Sequence, residues 1–332
     1  MSSEKPAILA WETADTDREV GIPQKYVELL RQHFDVVWEK DVKANYNLGS
    51  KVVGAIVTAD RPIPIMFDHP KLFPNLRVVV TLSAGLDHLD LSSLRARGIR
   101  LAATASFANA VAEITLTLLL SLTRDIGKIT KTIYEPSLRQ SRLAWDSPGI
   151  SDSTVGLVGF GRIGVRTAQL LRPHDCRICY FDPHVRRSHE EDREMGVTRY
   201  RDLCEMLRDS DAVIVACTLT PDTIGLIGET EFAAMKPSAT FINVARGKLV
   251  DTYALTRALQ SGGLRSAGLD VVHPDWLPTD HPLLTMDNVL LVPHCAAATL
   301  PALDFAFKSL ISNLLTGLSG EVMPKEVDLE HY

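Results

Sequence analysis

At 332 residues the chain is long enough for about two domains, each with a proper hydrophobic core. A formal charge of −6, with no long basic run, excludes nucleic acid and anionic membrane surfaces as main partners. Met1-Ser2-Ser3-Glu4-Lys5-Pro6 is neither a secretory nor an Arg-rich targeting start, and the last residues are no peroxisomal tripeptide, so a cytoplasmic protein is expected.

The N-terminal part alternates strand-like and helix-like stretches. Ala7 to Trp11 reads as a strand, Gln24 to Gln32 as a helix and Asp35 to Trp38 as a strand; Val52 to Thr58, Arg77 to Leu82 and Ile99 to Ala103 read as further strands. The series predicts a small doubly wound parallel sheet, yet no glycine fingerprint follows its first strand. The buried run Val78 to Leu82 leads into the small residues Ser83-Ala84-Gly85. Their amides could bind a carboxylate where open α/β sheets place ligands, or form a plain tight turn. Ala110 to Arg124 is apolar on nearly every side, which predicts a buried helix crossing into a second domain. It is too short for a membrane span and is bracketed by Glu113 and Arg124, so no membrane association is expected. Gly127 to Ser153, with Pro136, Trp145 and Pro148, reads as polar and irregular, either an arm toward a partner subunit or a linker.

The run Thr154 to Val158 then ends in Gly159-x-Gly161-x-x-Gly164 and turns helical through Val165, Ala168, Leu170 and Leu171. In a dinucleotide-binding turn the first glycine permits the tight turn, the second lets backbone approach a pyrophosphate, and the third lets helix pack on sheet. Arg177 to Phe181 reads as the next strand, and Asp182 closes it eighteen residues after Gly164. An acid there accepts hydrogen bonds from ribose hydroxyls and repels a 2′-phosphate, which favours NAD(H). Arg186 and Arg187 just beyond keep NADP(H) open. Cys176 and Cys179 have C-x-x-C spacing, but residues three apart in a strand face opposite sides, so no metal is expected.

Further βα units follow. Leu203 to Leu207 and Ala254 to Gln260 read as helices; Ala212 to Cys217, Thr240 to Val244, Ser266 to Val272 and Val289 to Val292 read as strands, with a last helix from Leu303 to Leu318. Arg246, the acids Asp270 and Asp275, and His294 each follow one of these strands. An arginine fork grips a carboxylate and an adjacent carbonyl, and a histidine oriented by a carboxylate passes a proton near neutral pH. Beside a nicotinamide, that set would reduce a 2-keto acid.

These motifs resemble those of the D-2-hydroxyacid dehydrogenase family, and within it the glyoxylate/hydroxypyruvate reductases. The resemblance rests on Gly159 to Gly164, Leu219-Thr220-Pro221-Asp222-Thr223, Phe241 to Gly247, Ala267 to Val271, Asp280 to Leu284 and Pro293-His294, in one register over nearly the whole chain. It implies two Rossmann-like or flavodoxin-like α/β domains with a cleft between them: 1–108 plus 300–332 as substrate domain and 109–299 as NAD-binding domain, with 127–150 as a possible dimerisation arm of a homodimer. By position it implies Arg246, Asp275 and His294 as catalytic residues, and Ser83, Ala84 and Gly85 as a carboxylate site. Arg246 and His294 also fall at substrate-binding positions; Gly159, Gly161, Arg162, Ile163, Gly164, Asp182, Thr218, Thr223, Val244, Ala245, Arg246, Asp270 and His294 fall at cofactor positions, and Trp145 resembles a tryptophan that reaches a neighbour's active site.

Two departures stand out. Asp275-Trp276 replaces the family's Glu-Pro, which shortens the acid's reach by roughly 1.5 Å, and Ala296-Ala297 replaces its Gly-Ser. The expected activity is NAD(P)H-dependent reduction of a small 2-keto acid. The shortened acid motivates an alternative, a nicotinamide-sensing interaction protein resembling the corepressors built on this fold.

Overall fold

The computed structural model describes residues 5–11, 21–59, 63–104, 107–135 and 146–331. The chain divides into two compact units, Met1–Ser106 with Leu300–Tyr332, and Phe107–Thr299. Among the described residues no helix is long and apolar enough to cross a membrane.

The first unit holds five parallel strands, β1 (Ala7–Ala10), β2 (Asp35–Trp38), β3 (Val52–Val57), β4 (Val78–Thr81) and β5 (Arg100–Ala103), in the order β2-β1-β3-β4-β5. The central strands are buried on both faces, which is why they read as unbroken apolar runs. The helix Leu300–Ser319 lies on β3 and β4. Small residues set its approach: a Cβ on Gly54 would stand 3.2 Å from Leu314, and one on Gly317 would stand 3.0 Å from Val78.

The chain after this helix covers the edge of β5. Ala103 N donates to Lys325 O at 3.1 Å and Val327 N to Leu101 O at 2.8 Å. Pairing of this kind removes an exposed sheet edge. Arg100 locks it, with Nε and Nη2 each 2.7 Å from a Glu326 carboxylate oxygen. That bidentate bond holds the Glu326 carboxyl below its ordinary 4.5. A lowered folded-state value means the stabilisation is fully present above the ordinary value and is lost as pH falls through the lowered one. Glu326→Gln is therefore expected to cost about 1 kcal/mol near neutral pH and little in strong acid, as read by urea unfolding across pH.

The second unit holds seven parallel strands: β6 (Thr154–Val158), β7 (Arg177–Phe181), β8 (Val197–Tyr200), β9 (Ala212–Val215), β10 (Thr240–Asn243), β11 (Ser266–Leu269) and β12 (Val289–Leu291). Their order is β12-β11-β10-β9-β6-β7-β8. Alternate residues feed two cores. Leu157, Tyr180, Ile214 and Ile242 pack under the helices Ala108–Thr123 and Arg162–Leu171, while Val158, Cys179, Val215 and Phe241 pack on the other face. Cys176 belongs with the first core and Cys179 with the second. Burial pushes the Cys179 and Cys217 thiols up to about 11, so neither is a thiolate at neutral pH.

The expectation of an irregular stretch from Gly127 is corrected in its first part, since Ile126–Tyr134 is helical. Ile126, Ile129 and Ile133 recur at helical spacing with lysines and threonines between them, a pattern masked by the flanking prolines. Residues 136–145, including Trp145, lie outside the described residues. β8 and the helix His189–Met195 before it are additions to the sequence reading. The signal was present as the capping box of Ser188 and Glu191, whose two reciprocal bonds are formed.

Candidate active site

All seven strands of the second unit run parallel, so their C-terminal ends share one edge, and the strand order reverses between β6 and β9. Open α/β sheets bind ligands at such a switch point. Gly159, Asp182, Thr218, Arg246, Asp270 and His294 all follow strand ends on this edge.

The turn after β6 shows a separate reason for each glycine. Gly159 has φ +95°, and a Cβ there would lie 2.6 Å from the Cys217 backbone. A Cβ on Gly164 would lie 2.4 Å from Gly159 O, so the helix sits directly on the turn. At Gly161 a Cβ would meet nothing within 4 Å. That open flank is where a pyrophosphate needs bare backbone. Gly161 is also the N-cap of Arg162–Leu171, whose first intrahelical bond runs from Val165 N to Gly161 O at 2.9 Å. The preceding amides, with the helix dipole, face outward at this end, which fits an anion.

Asp182 braces the turn. Its Oδ2 accepts from Phe160 N at 2.8 Å, and its Oδ1 accepts from His184 N at 2.9 Å and Val185 N at 3.1 Å. Across the switch point, Thr223 Oγ1 accepts from Thr220 N at 2.7 Å and donates to Thr218 O at 2.9 Å, which fixes the loop after β9.

After β10, Asn243 organises the next loop: its Oδ1 accepts from Ala245 N at 3.1 Å and its Nδ2 donates to Arg246 O at 3.0 Å. Val244 and Ala245 are buried and Arg246 is half-buried. Gly247 packs on the chain beyond β11, since a Cβ there would lie 2.0 Å from Val272 O. The Arg246 and Asp275 loops are thus held backbone to backbone.

Asp270 brackets His294. It is 2% exposed, its main-chain O accepts from His294 N at 2.9 Å, and its Oδ1 accepts from Cys295 N at 2.8 Å and Ala296 N at 3.1 Å. Buried carboxylates need such donors. The clamp holds His294 at φ +50° with its ring exposed. Sequence reasoning named Asp270 as a cofactor-lining residue but missed this clamp, and it missed Asn243, because both act through chain folding back from a neighbouring strand. Asp275 is exposed and makes no hydrogen bond or ion pair among the described residues, so the structure does not join it to His294.

In the first unit, Thr81 at the end of β4 holds both ends of the loop that follows. Its buried hydroxyl accepts from Ser83 N at 3.1 Å and stands 3.1 Å from His88 Nε2. Ser83 Oγ in turn accepts from Ala59 N at 2.7 Å. Ala84 is left exposed and Gly85 half-buried. Ser83 Oγ also stands 3.3 Å from Thr58 Oγ1, so the hydroxyl is tied into the fold while the backbone amides of the loop remain as the partners the sequence suggested for an anion.

Residues 116–296 match the family model for the D-isomer specific 2-hydroxyacid dehydrogenase, NAD binding domain. The mouse glyoxylate reductase/hydroxypyruvate reductase is 38% identical over 257 residues, 77% of this chain and 78% of that protein. The glyoxylate reductase of Pyrococcus furiosus is 35% identical over 322 residues, 93% of this chain and 94% of that one. Among solved structures, the NADPH-dependent glyoxylate/hydroxypyruvate reductase of Sinorhizobium meliloti, in complex with NADP and malonate, superimposes with a TM-score of 0.78 at 29% identity, covering 98% of each chain.

Proposed function

The chain belongs to the D-isomer specific 2-hydroxyacid dehydrogenase family, and from that membership we propose that it reduces small 2-keto acids of the glyoxylate and hydroxypyruvate type to D-2-hydroxy acids with NAD(P)H. The observation that carries this reading is the single sheet edge on which the glycine turn, Arg246 and the Asp270-clamped His294 all emerge. When bound, the dinucleotide supplies the hydride that goes to C2 of the keto acid. Gly159, Gly161 and Gly164, with the Arg162 and Ile163 amides, would hold its pyrophosphate. Asp182 would meet the adenosine ribose, and Thr218, Thr223, Val244, Ala245 and Asp270 would line its remaining length.

The substrate carboxylate is assigned to the amides around Ser83, Ala84 and Gly85. The Arg246 fork grips that carboxylate and the C2 oxygen, so negative charge developing on the oxygen is met as it forms. His294, protonated, gives its proton to that oxygen, and in the reverse direction takes it back. Asp275, nearest in role to the family's glutamate, is assigned to stabilise the charged ring. Catalytic hydrogen bonds are often long before substrate binds.

We assign residues 1–108 with 300–332 to substrate binding and 109–299 to NAD(P) binding, in a cytoplasmic homodimer. Tyr134 is 81% exposed on the helix Ile126–Tyr134, which buries none of its own residues, and this supports an arm that a second copy covers. The corepressor alternative finds no support among the relatives named above.

Arg246→Ala is expected to lower kcat/KM for glyoxylate by about 1,000-fold, and Arg246→Lys to recover only part of it, because an ammonium lacks the fork. Steady-state kinetics of the two variants check this. Turnover near wild type in Arg246→Ala would remove the residue from the reaction.

A further inference from the structure

Phe160 stands between the first two glycines of the β6 turn, and its side chain is 1% exposed. Its ring stacks on Tyr180 of β7, with centroids 4.0 Å apart and planes 11° from parallel. The same ring bears on the helix that follows, since a Cβ on Gly164 would stand 3.6 Å from Phe160 Cδ2. One aromatic pair therefore supports the turn from the core side.

That pair leads to a buried charge. Tyr180 is wholly buried, and its hydroxyl lies 3.1 Å and 3.0 Å from the two carboxylate oxygens of Asp192, itself 4% exposed. A carboxylate so enclosed needs donors. Tyr180 supplies one, and Arg187 faces the same carboxylate with Nε 3.5 Å from Asp192 Oδ1. The Arg187 guanidinium also lies 5.9 Å from the Phe160 ring centroid, within cation–π range. Burial first, and then the Asp192 carboxylate, pushes the Tyr180 phenol up to about 12, so the hydroxyl keeps its proton at neutral pH. The four side chains close a circuit: Phe160 on Tyr180, Tyr180 on Asp192, Asp192 on Arg187, and Arg187 over Phe160.

Resting on the dinucleotide reading of the β6 turn, we propose that Tyr180 and Asp192 are positioning residues for the dinucleotide, acting through Phe160 to hold the Phe160-Gly161 backbone in the shape that meets the pyrophosphate. Both are buried, so neither reaches a bound dinucleotide. Side chains locked behind a binding site keep its backbone preorganised, and a buried polar network is stiff because each member fixes the next. Without the Tyr180–Asp192 bond the Tyr180 ring is free to tilt, Phe160 follows it, and the turn loses its fit to the anion. The proton transfer assigned to His294 is left untouched.

Fluorescence titration with NADH tests this in Tyr180→Phe, which keeps the ring and removes only the hydroxyl. Kd is expected to rise about fivefold, with kcat for glyoxylate at saturating NADH within about twofold of wild type. Asp192→Ala should weaken NADH equally, and Tyr180→Phe/Asp192→Ala no further, because both act through one bond. Asp192→Asn keeps an acceptor for the hydroxyl and should restore Kd to within about twofold. Ser266→Ala is the structural control: it breaks the buried Thr240–Ser266 hydroxyl pair, 3.0 Å apart where β10 and β11 begin, at the opposite edge of the sheet. It should lower Tm by about 3 °C and leave Kd unchanged. Unaltered NADH affinity in Tyr180→Phe, additive losses in the double variant, or an equal loss in Ser266→Ala overturns the proposal alone. A wild-type protein that does not bind NADH overturns it together with the dinucleotide reading.

Discussion

His294→Asn is expected to lower kcat for glyoxylate reduction by about 1,000-fold while NADH affinity changes little. Asparagine is the apt replacement because His294 sits at φ +50°, a conformation that asparagine tolerates better than most residues. The amides of Cys295 and Ala296 would still reach Asp270, so the loop should keep its place. What is lost is the proton donor for the C2 oxygen. Steady-state rates beside nicotinamide fluorescence titration separate the two effects. A kcat within tenfold of wild type would mean that another group carries the proton.

Gly247→Ala should be as damaging for a different reason. The added methyl would lie 2.0 Å from Val272 O, 2.1 Å from Val272 C and 2.7 Å from His273 N, all backbone atoms with no rotamer to yield. Either the loop carrying Arg246 or the loop leading to Asp275 must move. We expect a loss of about 4 kcal/mol, hence a fall of roughly 10 °C in Tm for this unit. Activity should fall by more than about 100-fold, since displacement near 1 Å is enough for that. Calorimetry and kcat/KM on the same preparation check both. A Tm unchanged within about 2 °C would show that the two loops are not held backbone to backbone.

Much of this was legible in the residues because the local physics is strong. Parallel strands buried on both faces spell themselves as runs such as Val78-Val79-Val80 and Ala212-Val213-Ile214-Val215. The glycine turn was legible because Gly159 and Gly164 are forced by contacts within the turn or just across from it, while Gly161 keeps open the flank where a pyrophosphate needs bare backbone. What escaped was set by long-range register. Asp270 clamps the His294 loop because β12 returns beside β11, and no local spacing announces that pairing. The helix Ile126–Tyr134 was missed for another reason: its apolar stripe is short and borders residues rich in turn formers.

The most direct measurement is the loss of nicotinamide absorbance when the purified protein meets glyoxylate, hydroxypyruvate, pyruvate or phenylpyruvate with NADH and, separately, NADPH. The expected result is turnover with glyoxylate or hydroxypyruvate, D-glycerate as the product of the latter, and collapse of the rate in His294→Asn. Tight binding of the dinucleotide with no oxidation on any of the four acids would contradict the central claim.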